Sequence, residues 1–169
     1  MQFSFLLLIP AMLGFDPTTV KTNIDFQIFI NAIACIESGY NPSAVGDDGK
    51  ALGIFQIWES YYKDAKGFSI QKRDKYNLKD TQYKDVLSHA VAYRVVLAYF
   101  ERYEPKALIN NDFETLARLH NSGPNWRNKK YLTNNYWKKV KSFFPTVKDK
   151  LFSFTTKGYE KARILIINF

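Results

Sequence analysis

The chain has a single cysteine. In 169 residues Cys35 stands alone, so no internal disulfide forms and no cysteine-based metal site exists. It follows Ala34 and precedes Ile36 on an apolar helix, which predicts a buried, inert thiol. Histidine is almost as scarce. His89 and His120 are far apart and lack metal-ligand spacing, so neither is expected to hold a metal. No bound metal or organic cofactor is expected. Beyond the first 15 residues there is no long apolar run, and the terminal "ILIINF" is far too short to cross a bilayer. Internal repeats and low-complexity tracts are missing, which excludes solenoids and disordered arrays. The opening "MQFSFLLLIPAMLGF" has the apolar length of a signal peptide. It lacks a Lys or Arg before the run and an A-x-A cleavage pattern. Residues 1–20 are therefore read as a signal peptide or N-terminal anchor, which would let that segment touch a membrane. Residues 21–147 read as one folded domain and 148–169 as a C-terminal extension.

What is present is ordinary hydrophobic content with an excess of rings and of positive charge. Hydrophobic residues make up 46% and charged ones 24%, as expected of a folded chain with a sizeable core. The 14 Phe fit that core, whereas Tyr and Trp also suit binding surfaces. The net charge is +8 (24 Lys and Arg, 16 Asp and Glu). Most of it lies in one stretch, where Arg127, Lys129, Lys130, Lys138, Lys139, Lys141, Lys148 and Lys150 face only Asp149. Such a stretch attracts an anionic polymer. No recognised nucleic-acid motif accompanies it, so a nucleic-acid partner is not expected.

Periodicity predicts a mainly helical (α+β) single domain, expected to be monomeric. Phe26, Phe29, Ile30, Ile33 and Ile36 make one face of a helix over 25–36, stopped by Gly39 and Pro42. Residues 41–52 read as a loop or small hairpin, and 53–58 as a strand or a helix start. The stretch 61–84 is polar and irregular. Helices follow at 85–103 and 112–119, and a basic amphipathic helix at 136–144, before Pro145.

Glu37 continues the series Phe26, Ile30, Ile33 and so points along the apolar stripe. A carboxylate partly desolvated and placed at the negative end of a helix dipole is favoured in its neutral form. That is the form a general acid needs to protonate a leaving oxygen. Ten and eleven residues on, Asp47 and Asp48 sit in "GDDG". This is a turn signal, and it also offers a second carboxylate to orient water or balance developing positive charge.

The stretch "ESGYNPSAVGDDGKALGIFQI" closely resembles the core motif of the lysozyme-like superfamily. It is most similar to the soluble lytic transglycosylases, with E-S-x-x-N-P-x-A, a Gly-rich turn and G-x-x-Q-I. A second block, "ARLHNSGPNW", and a third, "NNYWKKVKSF", follow in the family's order, and these two also look like the invertebrate-type lysozymes. The resemblance implies a lysozyme-like fold with a small hairpin or loop beside the catalytic helix. It makes Glu37 the catalytic acid, and it implies that Ser38, Gly53, Gln56, Asn121 and Tyr136 serve the bound glycan, with Tyr131 the substitute for Tyr136. Asp47 resembles a second carboxylate of the goose-type lysozymes, which tilts the expectation toward a hydrolase. The invertebrate-type lysozymes are cysteine-rich, and a lone Cys35 argues against that branch and its isopeptidase side activity.

The expected activity is cleavage of the β-1,4 link between N-acetylmuramic acid and N-acetylglucosamine in bacterial peptidoglycan, outside the producing cell. Secretion, a membrane anchor or carriage on a virion would each deliver it there. The alternatives are a lytic transglycosylase forming 1,6-anhydro products, or a glycan-binding protein with an inactive cleft. Trp58, Trp126 and Trp137 flank the three blocks and offer platforms for sugar rings.

Overall fold

A computed structural model describes residues 24–142. The leader expected at 1–20 and the extension expected at 148–169 lie outside the described residues. Helix α1 (Ile24–Ser38) is the one its apolar spacing predicts. Phe29, Ile30 and Ile33 are fully buried in it, and Phe29 stacks on Phe113 with ring centroids 4.8 Å apart. The helix ends through two successive left-handed residues, Gly39 (φ +62°) and Tyr40 (φ +67°). Glycine enters that region without steric cost, so the chain turns sharply at the residue after Ser38. Cys35 is half-buried rather than buried.

The polar stretch after α1 forms the small hairpin. Strands β1 (Val45–Gly46), β2 (Ala51–Leu52) and β3 (Ile57–Trp58) make a three-stranded antiparallel sheet in that order. Val45 lies opposite Leu52, and Ala51 opposite Trp58. A 3₁₀ turn, Asp47–Gly49, joins the first two strands, with Asp47 (φ +49°) and Asp48 (φ +54°) both left-handed. Aspartate tolerates this region better than most residues, which suits it to the turn.

Two expectations fail in the middle of the chain. The stretch read as irregular holds helix α2 (Glu59–Gln71). Its inner face is Tyr61, Tyr62, Ala65 and Ser69, all buried at helical spacing. Hydroxylated and small side chains line that face, so hydropathy alone does not reveal it. The single helix expected over 85–103 is two elements, a 3₁₀ turn Tyr83–Leu87 and helix α3 (His89–Tyr103). Ser88 between them is extended (ψ 123°), and a reciprocal cap between Gln82 and Asp85 closes the short turn.

Pro105 opens a short unexpected helix, α4 (Pro105–Asn110), where its fixed φ and missing N–H cost nothing. Helix α5 (Phe113–Ser122) starts where Asp112 accepts a hydrogen bond from the Thr115 N–H at 3.1 Å. A 3₁₀ segment, Trp126–Thr133, leads into the described part of the basic helix, α6 (134–142). One hydrophobic core joins these elements, with Phe29, Phe55, Phe100, Leu116 and Leu119 fully buried in it. Among the described residues no helix is long and apolar enough to cross a membrane.

Candidate active site

The end of α1, the hairpin turn, β3, α2, α3 and the end of α5 enclose a cleft of about 430 Å³. Glu37 lies on its wall, with a side chain 19% exposed. The Tyr136 hydroxyl, from α6, donates to Glu37 Oε1 at 2.6 Å. Burial pushes the Tyr136 hydroxyl well above the ordinary tyrosine range, and the neighbouring Glu37 carboxylate adds to the effect. Tyr136 therefore stays a proton donor at every pH of interest.

Asp47 lines the same cleft, and its Oδ2 accepts from the Trp58 indole N–H at 3.0 Å. That bond fixes both an exposed carboxylate and a 44% exposed ring. The Lys50 ammonium lies 6.0 Å over the same ring. Asp48 is exposed and lies outside the cleft lining, so the turn brings one of the two aspartates to Glu37 and not the other.

Gln56 lines the cleft with its backbone left-handed (φ +48°), and its amide donates to the Gly53 carbonyl at 2.9 Å. Gly46 makes room for it, because a Cβ there would collide with Gln56 Oε1. Asn121 also lines the cleft, beside Gly123 and Pro124.

Four other residues that the resemblance assigns to the glycan are not among those that line the cleft. Ser38 donates to the Ile54 carbonyl at 2.9 Å and accepts from the Asn41 N–H at 3.1 Å, tying the end of α1 to the sheet region. Gly53 is buried at φ +75°, and a Cβ there would meet the Val86 carbonyl oxygen at 2.5 Å. Its missing side chain lets the chain pack directly against the Val86 backbone. Tyr131 is 71% exposed and lies outside the cleft lining. Tyr136 also lies outside it and touches Glu37. Of the three tryptophans, Trp58 alone lines the cleft. Trp126 is buried, with its N–H 3.3 Å from Glu104 Oε1, and Trp137 packs half-buried on the core.

Sequence reasoning missed His120 and Tyr61. The His120 side chain is only 4% exposed, and its Nε2 lies 3.7 Å from Glu37 Oε1. The same nitrogen is 3.2 Å from the Phe55 carbonyl oxygen, and Nδ1 is 3.3 Å from the Tyr61 hydroxyl. Burial pushes His120 below the ordinary histidine value, against the raising effects of Glu37 and of the Phe55 carbonyl. Tyr61 stacks on Tyr99 with centroids 3.5 Å apart. The signal available was His120 inside the "ARLHNSGPNW" block, but its partners are 59 and 65 residues distant. Among the described residues no group of three or more His, Cys, Asp and Glu is placed to hold a metal.

A family match over most of the chain, with which the mainly helical domain and its small antiparallel sheet agree, places the chain in the lysozyme-like superfamily. Within it, the Destabilase family matches residues 27–143, and the chain belongs to that family, which is that of the invertebrate-type lysozymes. The expectation drawn from Cys35 was therefore wrong about the branch. This core is closed by buried aromatic and aliphatic side chains without a disulfide. The chain is 29% identical over 125 residues to Lysozyme 1 of Crassostrea virginica. That alignment takes in 72% of this chain and 61% of the relative, so the chain spans less than two thirds of that relative's length. No solved structure matches the chain significantly.

Proposed function

We propose that this protein is a peptidoglycan muramidase that hydrolyses the β-1,4 bond between N-acetylmuramic acid and N-acetylglucosamine. The observation that carries the reading is Glu37, on the wall of an open cleft, with one carboxyl oxygen held by Tyr136. In the neutral form Glu37 gives its proton to the glycosidic oxygen as the bond breaks. Asp47, on the same cleft, orients the attacking water or balances charge on the oxocarbenium-like sugar. Trp58 offers a face for a sugar ring, and Gln56 and Asn121 offer polar contacts. The oyster relative's name, Lysozyme 1, supports the same reading.

A second carboxylate in the cleft favours hydrolysis over transglycosylation, in which the substrate's own hydroxyl attacks. The basic stretch from Arg127 to Lys141 would draw the enzyme to an anionic wall, an attraction that weakens with salt. The substrate places the enzyme's work outside the cell that makes it.

The test is mass spectrometry of soluble products from purified peptidoglycan, with wild type and Glu37→Gln side by side. Fragments with reducing muramic ends, reduced at least about 100-fold in the variant, are expected. Anhydro ends would replace the hydrolase reading with a transglycosylase. An active Glu37→Gln protein would remove Glu37 as the acid. No fragments from either protein would leave a glycan-binding module.

A further inference from the structure

Glu37, Asp47 and Trp58 account for only part of the cleft wall. Asp64, Tyr99, Gly123 and Pro124 line it too, and no step of the hydrolysis uses them. Helix α2 runs along the cleft: Trp58 precedes its first turn, and Asp64 follows about 9 Å along the axis. Asp64 is held from one side. Its Oδ2 accepts from the Tyr103 hydroxyl at 2.7 Å, and its backbone carbonyl accepts from Arg102 Nη1 at 2.9 Å. Oδ1 accepts no hydrogen bond from any described residue, and its near neighbour is Arg102 Nη2 at 3.8 Å. The Asp64 side chain is 41% exposed. One carboxylate oxygen is therefore an open acceptor, fixed in place, with part of its charge already balanced.

Tyr99 supplies the complementary property. It is 4% exposed, with its ring between Tyr61 (centroids 3.5 Å apart) and Tyr103 (4.8 Å). Its hydroxyl bonds to no described residue, although Tyr99 lines the cleft. A nearly buried hydroxyl without a partner is costly, and a ligand that bonds to it recovers that cost. Burial chiefly, with Tyr103 and Asp64 adding to it, holds this hydroxyl well above the ordinary tyrosine range, so it stays a proton donor. A Cβ on Gly123 would lie 3.6 Å from the same hydroxyl, which puts it beside the small, apolar wall of Gly123 and Pro124. An acceptor, a donor and a small apolar wall match the N–H, the carbonyl and the methyl of an acetamido group. An ammonium group fits less well, because Arg102 already offsets the Asp64 charge. We propose that Asp64, Tyr99 and the wall of Gly123 and Pro124 form a subsite for the 2-acetamido group of an amino sugar, with Asp64 Oδ1 accepting its N–H and the Tyr99 hydroxyl donating to its carbonyl oxygen. Asp64 and Tyr99 are then specificity-determining residues, an assignment that rests on the muramidase reading and names the feature of the substrate that is read.

The experiment measures binding of a soluble peptidoglycan oligosaccharide, natively acetylated or chemically de-N-acetylated, by titration calorimetry at one fixed salt concentration. The Glu37→Gln protein is the background, so that the ligand stays intact. Tyr99→Phe keeps both ring contacts and removes only the hydroxyl. Asp64→Asn keeps the shape and, with its oxygen turned to Tyr103, shows the cleft an N–H donor in place of an acceptor. In the background protein the acetylated form should bind at least about tenfold more tightly than the de-N-acetylated one. Either variant should weaken binding of the acetylated form about fivefold and leave the de-N-acetylated form little changed. If Asp64→Asn fails to fold, Tyr99→Phe decides, since its hydroxyl has no bond within the described fold to lose. An acetyl preference that survives in Tyr99→Phe, an amine form that binds as tightly as the acetylated one, or no binding of either form would overturn the proposal. Product release by wild type is measured in parallel. Cleavage by wild type beside an unchanged preference in Tyr99→Phe would remove this inference alone. No cleavage, with the preference lost in Tyr99→Phe, would remove the muramidase reading and leave the acetamido subsite standing.

Discussion

Arg118 is a sharp point at which to break the link between fold and site. It is 3% exposed, and all three guanidinium nitrogens are engaged. Nε and Nη2 donate to Glu114 Oε1 at 2.9 and 2.7 Å. Nη1 faces the Lys130 carbonyl at 3.0 Å, Thr133 Oγ1 at 2.6 Å and Asn134 Oδ1 at 3.0 Å. It therefore clamps α5 to the segment that runs into α6, and α6 carries Tyr136 to Glu37. Replacing it with Met keeps much of the volume and removes every donor. The Glu114 pair is 42% exposed on the acid side, so its loss costs about 0.5–1 kcal/mol. Thr133 is buried and loses a charge-assisted bond worth about 1.5–3 kcal/mol, although its hydroxyl still donates to Lys130 O. Water reaches the exposed Lys130 and Asn134 and makes up most of the remainder. The total is about 2–4 kcal/mol, which for a domain of this size lowers Tm by roughly 10 °C. Thermal unfolding of Arg118→Met reads the stability term, and wall lysis well below Tm reads the site. The expected result is a lower Tm and a lysis rate that falls even in the folded variant, because Tyr136 loses its register on Glu37. A Tm within about 2 °C of wild type and full activity would refute the clamp.

Other outcomes follow from the same geometry. Asp47→Asn should slow hydrolysis at least tenfold while Asp48→Asn stays near wild type, as product release from peptidoglycan would show; equal effects would mean that the turn, not the cleft carboxylate, matters. Gly53→Ala should destabilise by about 2–4 kcal/mol in urea unfolding, from strain at positive φ and from the contact with the Val86 carbonyl. Acid should weaken the fold through His120. Its folded value lies below the ordinary 6.5, so its contribution is complete above that pH. As pH falls through 6.5 the unfolded chain takes up a proton that the folded one refuses, and stability is lost. Tm should be lower at pH 5 than at pH 7, and His120→Gln should flatten that slope; an unchanged slope would count against a buried neutral His120.

The parts of the site that were legible lie close together in sequence or on one regular element. Glu37 could be placed because a single helix carries both it and the apolar stripe. The hairpin could be read from Gly and Asp in a short polar stretch. Helix α2 escaped notice because tyrosine, alanine and serine form its buried face and score as polar or neutral. The break at Ser88 escaped because apolar periodicity runs through the 3₁₀ turn into α3. The hydroxyl of Tyr136 meets the Glu37 carboxylate 99 positions away, a contact that no local pattern encodes. Gly53 and Ser38 border the motif, and both brace it through contacts with residues distant in sequence.

A helical domain with one acid at the end of its first helix, a turn rich in aspartate, a basic later segment and no disulfide can all be read from the residues in order. These depend on local propensity, period and composition, which act within a few turns of chain. Which aspartate shares the cleft with Glu37, which tryptophan faces it, and that His120 is buried beside Glu37 all came from the folded chain. Those outcomes depend on contacts between α1, α2, α5 and α6 across 59 to 99 residues of chain, and desolvation there gives the side chains properties that their local sequence does not contain.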